Sequence, residues 1–204
     1  HFFDPMCGSG TFLVEAALMA RNINPGVFGR DYAFRQWADY DDELFRDVYN
    51  DDSEERPFEH TIYGYDIARQ AVNIALKNVQ SAGMTKCVKV EQKDIHDLES
   101  VPAGGLCVVN PPYGRRLHLN NADALYAVLG TKFKHVFLGY NVWVIGMEQE
   151  HLDMIGLKPS VKYELNNGEL DCELRQYVIF DGTYRELRSR GEHIKNTDFR
   201  ASER

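Results

Sequence analysis

The order of apolar patterns along the chain predicts an α/β fold. It would have a mainly parallel seven-stranded sheet, helices on both faces and a terminal antiparallel strand pair. Three observations carry this. Short apolar runs alternate with stretches whose apolar residues recur at helical spacing. Strands alternating with helices imply right-handed βαβ units and hence parallel pairing. The last two strands face each other across Gly168 with no helix between them.

The elements follow in order. Phe2-Phe3 runs through Asp4-Pro5 into CGSGTFLVEAALMARN, where apolar residues at 12, 13, 16, 17 and 20 mark one helix face. The opening therefore reads strand, glycine turn, helix. Residues 24–58 form an insertion that starts at the Pro25-Gly26 breaker. Its aromatics (Phe28, Tyr32, Phe34, Trp37, Tyr40, Phe45, Tyr49) are too many for a disordered segment. It is expected to hold a helix near 41–50 and to pack on the domain through Phe34, Trp37 and Phe45. TIYGYDI is a short strand. In ARQAVNIALKNVQSAG, apolar residues at 68, 71, 72, 75 and 79 form a helix stripe that Gly83 is placed to end. CVKVEQKDI alternates as a strand does, and GLCVVN is a fully buried strand. NADALYAVLGTKF is helical, NVWVIGM is a strand, and SVKYELNN with LDCELRQYVIF makes the final pair. The domain is expected over 1–181, with 182–204 a polar tail or linker. There is no internal repeat.

Bulk properties exclude several classes. A chain of 204 residues is one domain by default and can bury a sizeable core. At 44% hydrophobic and 26% charged it has an ordinary globular composition. No apolar run approaches the roughly 20 residues that span a bilayer. The start, HFFDPMCGSG, has no basic n-region and does not read as a signal peptide. It opens on a strand without an initiator Met, as a piece of a longer protein does. The cysteines (Cys7, Cys87, Cys107, Cys172) form no C-x-x-C pair and the seven histidines are scattered, so neither a metal site nor a disulfide framework is expected. A reducing, cytoplasmic setting fits best. Net charge is −8, but residues 30–59 hold 11 acidic and 4 basic side chains, and the remainder is close to balance. The acidity belongs to one segment, which leaves room for a basic patch elsewhere.

Chemistry is expected where the strands end. Asn110-Pro111-Pro112-Tyr113 stops a buried strand abruptly. The prolines lack N–H groups, and Pro111 pushes Asn110 out of the helical region. A plain strand stop and a functional site both fit this tetrapeptide alone. Ligands in parallel sheets sit beyond the carboxyl ends of the strands, and the strands end at Asp4, Asp66, Asp94 and Asn110. Gly8 and Gly10 allow a sharp turn and close approach to a ligand. They open a helix whose N–H groups favour polar or anionic groups. A tight strand–helix turn explains a G-x-G as well. Asp66 has the position that binds ribose hydroxyls in nucleotide-binding folds, although it follows Gly10 by 56 residues rather than about 20. The insertion accounts for most of that gap. No P-loop motif is present.

DPMCGSGTFLVEAA, GYDIARQAVNIALKN, QKDI and NPPYGRRL, in this order, resemble the motifs of AdoMet-dependent methyltransferases of the Rossmann-like class I fold. More closely, with PGVFGRDYAFRQWADYDDELF and ELNNGELDCELRQY, the chain resembles the THUMP-associated rRNA guanine-N2 methyltransferases of the large ribosomal subunit, over roughly residues 2–180. The resemblance implies S-adenosyl-L-methionine as cofactor. Asp4, Gly8 and Gly10 would cradle its methionine part, with Pro5, Cys7 and Thr11 in the same turn. Asp66, followed by Ile67, would hold its ribose hydroxyls. Asp94 and the backbone of Ile95 would meet its adenine. Asn110, Pro111 and Tyr113, with Pro112 stiffening the turn, would hold the target base, flipped from a loop or single-stranded region of rRNA, and Asn110 would meet the cofactor as well. Arg115 and Arg116 could hold phosphates. The family's THUMP region and the helix before the glycine strand are missing from this chain, so RNA capture is expected to need more than this domain. Two other readings stay open: an adenine-N6 DNA methyltransferase, which uses the same tetrapeptide, and a degenerate module that keeps AdoMet without catalysis.

Overall fold

The computed structural model describes residues 1–24, 31–112, 122–167, 170–182, 186 and 189. Seven strands form one sheet: β1 (Phe2–Asp4), β2 (Ile62–Asp66), β3 (Val88–Gln92), β4 (Gly105–Val109), β5 (Tyr140–Gly146), β6 (Val161–Asn167) and β7 (Leu170–Val178). The helices are α1 (Thr11–Arg21), α2 (Asp42–Tyr49), α3 (Arg69–Ser81), α4 (Ala122–Val136) and α5 (Gln149–Asp153). The strand order is β3-β2-β1-β4-β5-β7-β6. The first five strands pair in parallel, and β7 lies antiparallel between β5 and β6. The expected mainly parallel sheet with a terminal antiparallel pair is therefore what the chain forms. The chain winds outward from β1 to β3, then crosses to β4. The boundary between β1 and β4 is thus the switch point, where sheets of this kind bind ligands.

Neighbouring residues of one strand point to opposite faces, and the two cores show it. Phe3 of β1 enters a cluster with Cys107, Val142, Val144 and Tyr177, covered by Tyr126, Leu129 and Phe133 of α4. Phe2 packs on the other face, where Leu13, Ala17 and Leu18 of α1 meet Val79 of α3 and Ile62 of β2. Helices thus lie on both faces, as the alternation predicts.

Three details depart from the sequence reading. Strand β3 stops at Gln92, because the Asp94 side chain accepts the His96 N–H at 2.9 Å and caps a 3-10 turn over Ile95–Asp97. Helix α5 was not expected, since five residues are too few to show a stripe. It is anchored by Asp153, which pairs with the buried Arg175 of β7 beside Glu173. A charged pair inside a strand carries no pattern signal. In the insertion, Asp41 caps α2 by accepting Glu43 and Leu44 amides at 3.0 Å, close to the expected bounds. The expected packing of Trp37 on the domain is wrong: Trp37 is 66% exposed. Phe34 and Phe45 pack on Tyr32, Tyr40 and one another, a local aromatic cluster. The body is reached by polar ties, Arg21 to Glu55 at 3.2 Å and Arg56 Nε to the Ala20 carbonyl at 2.9 Å, and by Phe58, which packs against the core beneath α1 and α3. The Pro25-Gly26 breaker, Phe28, the Gly168 turn and most of the 182–204 segment lie outside the described residues.

Candidate functional site

The sheet brings four sequence-predicted positions to one rim. In spatial order they are Asp94 after β3, Asp66 at the end of β2, the turn after β1, and Asn110 after β4. Gly8 and Gly10 both have positive φ, +53° and +80°. At Gly8 an added Cβ would meet no protein atom within 4 Å, so the turn is open there to a ligand. Gly10 serves packing as well, because its Cβ would press on Ala75 of α3 at 3.1 Å.

The turn is pinned from three sides. Cys7 N–H donates to the Tyr65 carbonyl at 2.8 Å. Gly8 N–H donates to Asp66 Oδ2 at 3.0 Å. Asn78 of α3 donates to the Ser9 carbonyl at 2.8 Å. Asp66 Oδ1 also accepts the Ala68 N–H at 2.8 Å, so this carboxylate sets the turn and the start of α3 together. Thr11 is exposed at the first turn of α1, and Ile67 is an exposed apolar side chain on the rim. Gln92 fixes the Ile67 carbonyl at 3.0 Å. Pro5 is buried beneath the turn.

Asp4 lies lower still, 2% exposed, with Oδ1 accepting the Met6 N–H at 3.1 Å. Burial pushes its carboxyl up to about 7 against that hydrogen bond, and the Asp66 charge adds to the rise. Burial, then Asp4 and Asp66, push the Cys7 thiol up to about 12. It stays protonated and is no nucleophile. Asp94 goes the other way, its carboxyl held low by the His96 N–H first. Ile95 is buried behind it.

Asn110 is the informative polar group. Its Oδ1 is buried and has no hydrogen-bond partner among the described residues. An unpaired buried amide oxygen costs about 1–3 kcal/mol, which a ligand N–H would recover. Pro111 beside it is buried and Pro112 half-buried. Tyr113, Arg115 and Arg116 lie outside the described residues. Sequence reasoning missed the braces Asn78, Gln92, His96 and Lys132. Each is a polar residue on an ordinary surface pattern, and only the fold shows what it holds.

A seven-stranded sheet in this order, with a glycine turn and an asparagine flanking the switch point, defines a class I methyltransferase domain. The chain belongs to the family UPF0020, RMKL-like, methyltransferase domain, which matches residues 1–176. A similar curated protein is the ribosomal RNA large subunit methyltransferase K/L of Psychromonas ingrahamii. It is 34% identical over 189 residues, covering 86% of this chain and 25% of that protein. Among solved structures, SMU.472 complexed with SAH matches with TM-score 0.76 and 33% identity over 89% of this chain and 48% of that one. A predicted N6-adenine-specific DNA methylase from Listeria monocytogenes matches with TM-score 0.74 and 30% identity, covering 87% and 46%. The chain thus spans a quarter to a half of the relatives it matches.

Proposed function

We propose that this domain transfers a methyl group from S-adenosyl-L-methionine to the exocyclic N2 amine of a guanine in 23S rRNA, within a longer cytoplasmic protein. One observation carries the proposal: the buried Asn110 Oδ1, unpaired among the described residues, at the switch point, one strand from the open glycine turn. The K/L relative supports rRNA as the substrate, and the SAH-bound neighbour supports the cofactor. The open side of Gly8 fits a ligand lying against the turn, with Asp66 on the ribose and Asp94 on the adenine.

When bound, the cofactor supplies an electrophilic methyl on a sulfonium centre. The chain supplies orientation. An exocyclic amine is a weak nucleophile because its lone pair is conjugated with the ring. The Asn110 oxygen and the Pro111 carbonyl accept its two N–H bonds, turn the lone pair towards the methyl and stabilise the positive charge that develops on nitrogen. The extra proton then leaves to solvent; it is acidic once the methyl has moved, so no strong base is required. Stacking on Tyr113 contributes about 1–3 kcal/mol towards holding the base. A base in a loop or single strand leaves its stack at least cost.

The Listeria relative favours a second reading, methylation of adenine N6 in DNA, which presents the same pair of N–H donors. Radiolabelled AdoMet offered to the longer protein with stripped rRNA or with oligonucleotide DNA separates the two. Label in rRNA alone is expected, and label in DNA alone would overturn the proposal.

A further inference from the structure

The loop after β3 is held by two side chains that no catalytic role requires. Asp94 Oδ1 accepts two hydrogen bonds from the same residue, the His96 amide at 2.9 Å and His96 Nδ1 at 2.8 Å. Asp94 Oδ2 takes none among the described residues and remains an acceptor at the rim. Lys132 reaches over from α4. Its Nζ donates to the carbonyls of His96 at 2.7 Å and Leu98 at 3.0 Å, which close the 3-10 turn. The turn is only three residues long and cannot satisfy those carbonyls itself. Lys132 is half-buried and His96 exposed, so neither is part of the core.

We infer that His96 and Lys132 are positioning residues that lock the Asp94 carboxylate so that its free oxygen meets the exocyclic amine of adenine. This rests on the cofactor reading above. A free aspartate on a surface loop samples several χ1 and χ2 wells. Two hydrogen bonds on Oδ1 select one, and the lysine tie fixes the backbone that carries it. The lock discriminates as well as binds, because an adenine offers N6–H to Oδ2 whereas a hypoxanthine offers a carbonyl oxygen that Oδ2 repels.

The test compares S-adenosylhomocysteine with S-inosylhomocysteine by calorimetry, in the parent protein and in His96→Ala, His96→Asn and Lys132→Met. The parent should prefer the adenosyl ligand. His96→Ala and Lys132→Met should shrink that preference roughly fivefold or more, a loss of the size that one weakened polar contact gives. His96→Asn keeps a side-chain N–H donor near the position of Nδ1 and should retain the preference. Equal losses for both ligands would reveal a general structural role and overturn the inference, as would an unchanged preference in His96→Ala. A parent that binds neither ligand would instead remove the cofactor reading itself.

Discussion

Asp4 is a carboxylate held where water does not reach it. Its folded pKa of about 7 lies above the ordinary 3.8, so the native state holds the proton more tightly than the unfolded chain does. The stability this confers is full below about pH 4. It is lost as pH rises through 7, by up to about 4 kcal/mol. Asp4→Asn keeps an acceptor for the Met6 N–H and cannot ionise. Denaturant unfolding should show it flatter than the parent between about pH 4 and 7, and more stable at about pH 8. Matching pH profiles would exclude Asp4 as the source. Asp66 carries a second prediction at this scale. Because it accepts the Gly8 and Ala68 amides, Asp66→Ala should lower stability and also weaken S-adenosylhomocysteine binding by about 1–3 kcal/mol. Unchanged affinity by calorimetry would end the ribose assignment. The rim residues were legible because proline, glycine and isolated carboxylates interrupt apolar strands. What they do to one another was not, since the contact between Gly8 and Asp66 spans 58 positions.

At the scale of elements, helix α4 shows how close packing overrides propensity. Gly130 stands in mid-helix, where alanine is ordinarily better by about 1 kcal/mol. A Cβ there would run into the backbone carbonyl of Ile155, just beyond α5. Backbone gives way less than a side chain, so the clash should win. Gly130→Ala should destabilise the protein by about 1–3 kcal/mol in thermal or denaturant unfolding. A stabilised variant would show that the two helices separate freely. The seven strands and the long helices were legible because period-2 and period-3.6 patterns persist over several residues. Helix α5 left no such pattern, and what ties it down is an ion pair from the exposed Asp153 to the buried Arg175. The insertion misled for a different reason. Phe34 and Phe45 do pack, but on neighbouring aromatics of the insertion, and composition cannot tell a local cluster from a contact with the domain.

At the scale of the whole molecule, the domain carries eight net negative charges, most of them in the insertion. Phosphate binding needs positive charge and weakens as salt rises. The 204-residue chain should therefore bind rRNA weakly, and the longer protein should bind it much more tightly with a steep salt dependence. Equal affinities in a filter-binding titration would mean that this domain captures RNA unaided. Among the described residues no helix is long and apolar enough to cross a membrane. The sheet order could not be read from the sequence. Adjacent patterns give neighbouring strands, but only long-range packing places β7 between β5 and β6.

Under the proposed function, Asn110 presents an acceptor to a guanine amine. Nucleoside analysis by mass spectrometry, after the longer protein has methylated stripped large-subunit rRNA, tests it most directly. The parent should yield N2-methylguanosine. Asn110→Ala should bind S-adenosylhomocysteine as the parent does and lose roughly a hundredfold or more in rate, the cost of one preorganised polar partner. Methyl on adenine N6 would hand the case to the second reading, and full activity in Asn110→Ala would leave Asn110-Pro111-Pro112-Tyr113 as a stiff end to a strand.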